Sequence, residues 1–149
     1  MRRYLLVVPF IFFACAKGEE TPPADSAAMA APPALTEADV AGSWTGTAMI
    51  EGTDSVFAHW TNICGGGTCR FTSAEAPKDT IAQTYVLEAD SMRGNSAAHA
   101  APDMKGAMVT DSWVARLVGG QVTGTGMLKL ADKPDSVVMR YRFTGSKAP

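Results

Sequence analysis

The sequence predicts an all-β domain: an antiparallel up-and-down barrel or meander of about eight strands, preceded by an apolar N-terminal helix and a disordered linker. Three observations predict it. Apolar and polar residues alternate with a period of two over short stretches from residue 42 to 143, the pattern of half-buried strands in antiparallel sheets. Turn-forming residues punctuate these stretches at short intervals. Beyond one helical turn, no segment has the length and period of a crossover helix, which parallel strands would require. Closure into a barrel removes the exposed sheet edges; a two-sheet sandwich is the second architecture compatible with the pattern.

In order along the domain, Thr36-Glu-Ala-Asp39 has the form of a capping box opening a short helical turn. Gly42 to Glu51 places Trp44, Ala48 and Ile50 on one face and Ser43, Thr45 and Thr47 on the other. Strands are expected at 55–63, 68–73, 80–88, about 92–99 and 108–118. Val122 to Leu130 sets Val122, Leu128 and Leu130 against Thr123, Thr125 and Lys129, and Gly124 and Gly126 read as strand glycines rather than a dinucleotide loop. In Val137 to Phe143, Val137, Met139, Tyr141 and Phe143 face one way and Arg140 and Arg142 the other. Asp-Ser recurs at 54–55, 90–91 and 135–136, each time before an apolar residue, and reads as a turn that starts a strand.

Residues 1–14 have a different character. Met1-Arg2-Arg3 precedes eleven apolar residues (4 to 14) and then Cys15, the layout of a secretory signal. As a helix this stretch spans roughly 16 Å, short of the ~30 Å hydrocarbon core of a membrane. Phe12-Phe13-Ala14-Cys15 resembles the lipobox of bacterial lipoproteins, with Phe12 where that family usually carries Leu. The resemblance implies cleavage before Cys15 and acylation (palmitate among the chains) of that cysteine. It further implies a lipid anchor in the bacterial cell envelope, with Ala16 after the cysteine favouring the outer membrane. The linker of residues 15–36 contains two Pro-Pro pairs, many alanines and no aromatic residue; it cannot bury enough surface to fold alone and reads as a spacer. Residues 37–149 form the one folded domain.

Charge narrows the partners. The whole chain has 13 Lys+Arg against 15 Asp+Glu. Without Arg2 and Arg3 the count is 11 against 15, a formal charge of −4, with no basic run, so nucleic acid is not expected as a partner.

The sequence offers few catalytic groups. It lacks a nucleophile elbow, a phosphate-binding loop and a metalloprotease helix, and the expectation is a protein that is not an enzyme and has no cofactor. Its two histidines, His59 and His99, read as a solvent-facing strand residue and a strand-end or loop residue. Asn62-Ile-Cys-Gly-Gly-Gly-Thr-Cys69 admits three readings. Zinc wants four converging ligands and usually a closer cysteine spacing. A redox pair wants an exposed thiol of low pKa, and only Arg70 adjoins. The favoured reading is a disulfide across a hairpin, because Cys64 and Cys69 fall opposite one another on adjoining strands within bonding reach. Setting Cys15 aside leaves these two as a pair, in an oxidising compartment that closes it.

The short helical turn followed by Gly42-Ser43-Trp44 resembles the Gly-x-Trp opening of lipocalin-like (calycin) barrels. In that family the tryptophan closes one barrel end against a basic residue of a late strand, which would be Arg140 or Arg142 here. The resemblance implies a small apolar or amphiphilic ligand. The inward-facing candidates are Trp44, Ala48, Ile50, Val56, Trp60, Tyr85, Leu87, Trp113, Leu128, Met139, Tyr141 and Phe143. Asn62, Gln83 and Asp111 are the polar positions on the same faces. Candidate ligand-binding residues are therefore Asn62, Gln83, Asp111, Trp44, Trp60, Trp113 and Tyr141. Two expectations stay open: a calyx holding a ligand, or a barrel filled by its own side chains, with Asn62 at a hairpin end and Asp111 in a turn, that contacts an envelope protein through its outer face or loops 89–107.

Overall fold

In the computed structural model, which describes residues 34–101, 104 and 106–149, nine strands follow one short helix. Helix α1 is Glu37–Val40. The strands are β1 (Gly42–Ile50), β2 (Val56–Gly65), β3 (Thr68–Ser73), β4 (Ala76–Glu88), β5 (Ser91–Ser96), β6 (His99–Ala100), β7 (Met108–Val118), β8 (Gln121–Leu130) and β9 (Lys133–Lys147). Each pairs antiparallel with its neighbour in sequence, except that β5 bonds past β6 to β7, and β9 returns to β1. Eight strands thus close into an up-and-down barrel, and two-residue β6 is an extra strand on β7. This architecture is compatible with a calycin-like fold. The expected signal, Cys15 and the spacer up to residue 33 lie outside the described residues.

The antiparallel order gives the barrel two unlike ends. At one end lie α1, the start of β1 and the β2–β3, β4–β5 and β7–β8 turns. The backbone N–H of Thr36 donates to the Asp39 carboxylate (2.9 Å), as the capping box predicts. That places Val40, fully buried, beneath Trp44, whose indole Nε1 donates to the Val40 carbonyl at 2.8 Å. Glu37 accepts from the Tyr85 hydroxyl and from the Gly66 N–H. These bonds fasten α1 across the end as a plug.

The Trp44 ring also stacks beneath a cation, but not the expected one. Lys147 Nζ lies 5.6 Å from its centroid, because β9 continues four residues past Phe143 and brings Lys147 opposite Trp44 in the ladder. Arg142 points outward to Asp54 and the Thr53 carbonyl, and Arg140 is exposed.

Cys64 and Cys69 are register partners across the β2–β3 hairpin and are bonded, with Cα atoms 4.1 Å apart. Gly66 and Gly67 both adopt positive φ in the turn between them (62° and 76°), which a glycine accommodates without strain. The bond consumes both thiols, so the zinc reading of this stretch does not apply.

Inward glycines shape the wall. A Cβ on Gly94 would overlap the Trp113 indole, one on Gly126 the Tyr141 ring and one on Gly124 the Phe143 ring. The aromatic rings therefore lie against neighbouring strands rather than across the barrel's centre.

Three expectations are corrected. The third Asp-Ser pair is no turn: the β8–β9 hairpin turns at residues 131–132, and Asp135-Ser136 belong to β9, in a segment looped out between the pairs Leu130–Lys133 and Lys129–Val137. Val56 and Ile50, expected inside, are 43% and 36% exposed at the rim. Val137 is likewise exposed, beyond the inward row of Met139, Tyr141 and Phe143. A bulge explains the exposure of Val56: Ala48 opposes Ala58 but Met49 opposes Val56, which leaves Phe57 as an extra residue in β2. Bulges re-aim side chains, and this one turns Phe57 into the barrel and Val56 out.

Candidate ligand cavity

The barrel is not filled. A cavity of about 740 Å³ runs from Trp44 and Cys64 at the plugged end to a mouth formed by Ala76, Lys78, Asp79, Met104 and Val138. That volume lies within the range of small-molecule pockets, roughly 300–1,000 Å³. The seven candidate residues Trp44, Trp60, Asn62, Gln83, Asp111, Trp113 and Tyr141 all line it. Neither Asn62 nor Asp111 is at a chain reversal; both sit inside strands, β2 and β7.

An aromatic cluster forms much of the wall. Tyr141 meets Phe57 edge-on at 5.7 Å between centroids, and Phe143 is packed against Tyr141, Trp60 and Trp113 at 6.1, 6.2 and 6.4 Å. These separations and mostly perpendicular planes are the preferred geometry for aromatic pairs.

Across this apolar wall runs a band of polar side chains. Asn62 Nδ2 donates to Gln83 Oε1 at 3.2 Å. Gln83 pairs in register with Ser96, and Ser96 Oγ accepts from the Asp111 backbone N–H at 2.8 Å. The Tyr141 hydroxyl lies 2.7 Å from both oxygens of the Asp111 carboxylate, to which it donates. His99 Nδ1 stands 3.4 Å from Ser96 Oγ, at the mouth side of the band. Gln83 and Ser96 are ladder partners on β4 and β5, whereas the Asn62–Gln83 and Tyr141–Asp111 bonds reach past β3 and β8 respectively.

Electrostatics distinguish its two ends. Burial raises the Asp111 carboxyl to about 6, against the opposing hydrogen bond from Tyr141. Burial and the neighbouring Asp111 charge push the Tyr141 hydroxyl well above its ordinary range, so it stays a donor. At the other end, Trp60 Nε1 and Asn62 Oδ1 are buried with no hydrogen-bond partner among the described residues. Buried polar atoms are usually paired with protein or water; here one donor and one acceptor lack a partner among the described residues, on two residues that line the cavity.

At the mouth, His59 Nδ1 lies 2.8 Å from Glu75 Oε1 on the solvent side. The Glu75 carboxyl is lowered to about 2 by hydrogen bonds from Ser73 and His59. Among the described residues, no cluster of His, Cys, Asp and Glu is placed to hold a metal ion. Sequence reasoning missed Ser96 and Phe57. The period-two relation of Ser96 to buried Met92 was a usable signal; the bulge that turns Phe57 inward left none.

No family model, no curated protein and no solved structure matches the chain.

Proposed function

We propose that this protein is a lipid-anchored binding module of the bacterial cell envelope, a calycin-type barrel that holds a small apolar or amphiphilic molecule and catalyses no reaction. The observation that carries the reading is the 740 Å³ cavity with its aromatic wall and single polar band. Apolar surface of this extent next to a few convergent polar groups suits a molecule with an apolar body and one polar head. The address rests on the sequence: the signal-like segment and the lipobox-like Phe12-Phe13-Ala14-Cys15, followed by a spacer long enough to hold the barrel off a membrane. The Cys64–Cys69 bond fits an oxidising compartment.

Native mass spectrometry of protein purified from its own host is expected to show a bound small molecule. A neutral apolar fluorophore is expected to bind the emptied protein with enhanced emission. Bare polypeptide together with no fluorophore binding would refute the calyx and favour an outer-surface contact with an envelope protein. For the address, blocking the lipoprotein signal peptidase is expected to leave a larger precursor, and an unchanged mature size would refute the anchor.

A further inference from the structure

We propose that the cavity selects an amine: an amphiphile whose ammonium head pairs with Asp111 and whose apolar remainder lies along the aromatic wall. This rests on the binding-module reading and adds the chemistry of the head group.

The first observation is an uncompensated acceptor. Asp111 lines the cavity, and its carboxylate receives the hydroxyl proton of Tyr141 and a backbone hydrogen bond from Ser112. Two carboxylate oxygens offer about four acceptor sites, so capacity remains. Among the described residues, no Lys, Arg or His nitrogen comes within 4.0 Å of it; their ion pairs are His59–Glu75, Arg93–Glu88, Arg116–Asp90 and Arg142–Asp54. Ser96, the polar neighbour on β5, accepts from the Asp111 backbone rather than donating to its carboxylate. A carboxylate taken out of water without a counter-charge is costly. A ligand cation that is removed from water together with it offsets that cost.

The second observation is the setting. The rings of Tyr141, Phe57, Phe143 and Trp113 adjoin one another around this part of the cavity. Aromatic faces attract cations and repel anions. Among the described residues, the titratable ones at the mouth are Glu75 and Asp79 against Lys78, with His99 further in. A fatty acid would bring a second carboxylate toward Asp111. A neutral alcohol would donate one hydrogen bond without the charge. An ammonium group has three donors and the complementary charge.

The test compares n-decylamine, n-decanol and decanoate as competitors of a neutral apolar fluorophore at pH 7.5, on the purified protein with its disulfide intact. The amine is expected to bind at least about tenfold tighter than the alcohol, the difference between a charged and a neutral hydrogen bond, and decanoate weakest. In Asp111→Asn, with folding checked by circular dichroism, the advantage of the amine over the alcohol is expected to vanish. In Tyr141→Phe it should persist, because the carboxylate remains. Alcohol or decanoate binding as tightly as the amine, or a preference that survives Asp111→Asn, overturns the head-group assignment alone. If neither the fluorophore nor any competitor binds, the calyx reading falls and this assignment with it.

Discussion

Asp111 provides a stability measurement that needs no ligand. Its carboxyl titrates at 3.8 in the unfolded reference and is raised to about 6 by burial in the barrel. A raised carboxyl opposes folding where it must be ionised. Its burden is absent below 3.8, grows as pH rises toward 6 and is complete above. At 1.36 kcal/mol for each tenfold change in proton affinity, the burden at pH 7 is about 3 kcal/mol. Asp111→Asn keeps the shape and an acceptor for the Tyr141 hydroxyl but never ionises. The variant is therefore expected to be about 3 kcal/mol more stable than the parent at pH 7, on the order of 10 °C in melting temperature for a domain of this size. The difference should shrink to near zero by pH 4. Urea denaturation of both proteins at pH 4, 5, 6 and 7 supplies the comparison, and contributions from other carboxylates such as Glu75 cancel between them. A variant no more stable than the parent at pH 7, or a gap that does not change between pH 7 and 4, would refute the burial argument. The same gain in stability means that loss of amine binding in Asp111→Asn cannot be put down to unfolding.

Replacing both Cys64 and Cys69 by Ala should cost about 2 kcal/mol for so short a loop, since their sequence separation is only 5; matched denaturation curves with and without reductant check it. Gly126→Ala would drive a methyl into the Tyr141 ring and should cost on the order of 1–3 kcal/mol from overpacking, whereas Gly52→Ala, with nothing nearby, should cost less despite its positive φ of 78°; thermal melts of the two compare them. Trp44→Phe removes the hydrogen bond to Val40 and leaves that buried carbonyl short of a donor, for about 1–3 kcal/mol, and faster amide exchange in α1 than in the barrel strands is the accompanying sign that the plug has loosened.

Much of the site could be read from alternation. Once β2, β4 and β7 were recognised as strands, parity alone put Asn62, Gln83 and Asp111 on the faces of Trp60, Tyr85 and Trp113. All three line the cavity. Parity fails where the ladder is irregular. The bulge opposite Ala48 and Met49 reverses the expected facing of Val56 and Phe57, and the looped-out segment in β9 absorbs an Asp-Ser pair that reads locally as a turn. The cation over Trp44 was misassigned for a related reason. Thr144 to Lys147 contains no apolar alternation, so only pairing with β1 reveals that β9 extends to Lys147.

The sequence by itself determined most of the strands, the β2–β3 staple and the identity of most inward residues, because these depend on local period, turn chemistry and the short reach of a disulfide. Tertiary structure decided whether those inward residues touch. Closure of β9 on β1 and of β5 on β7 sets the barrel's bore, and inward glycines at 94, 124 and 126 let the aromatic rings lie against the wall. The centre is thereby left as a cavity rather than a packed core. Its volume depends on how far apart opposite walls are held, a long-range distance that no local pattern of residues encodes.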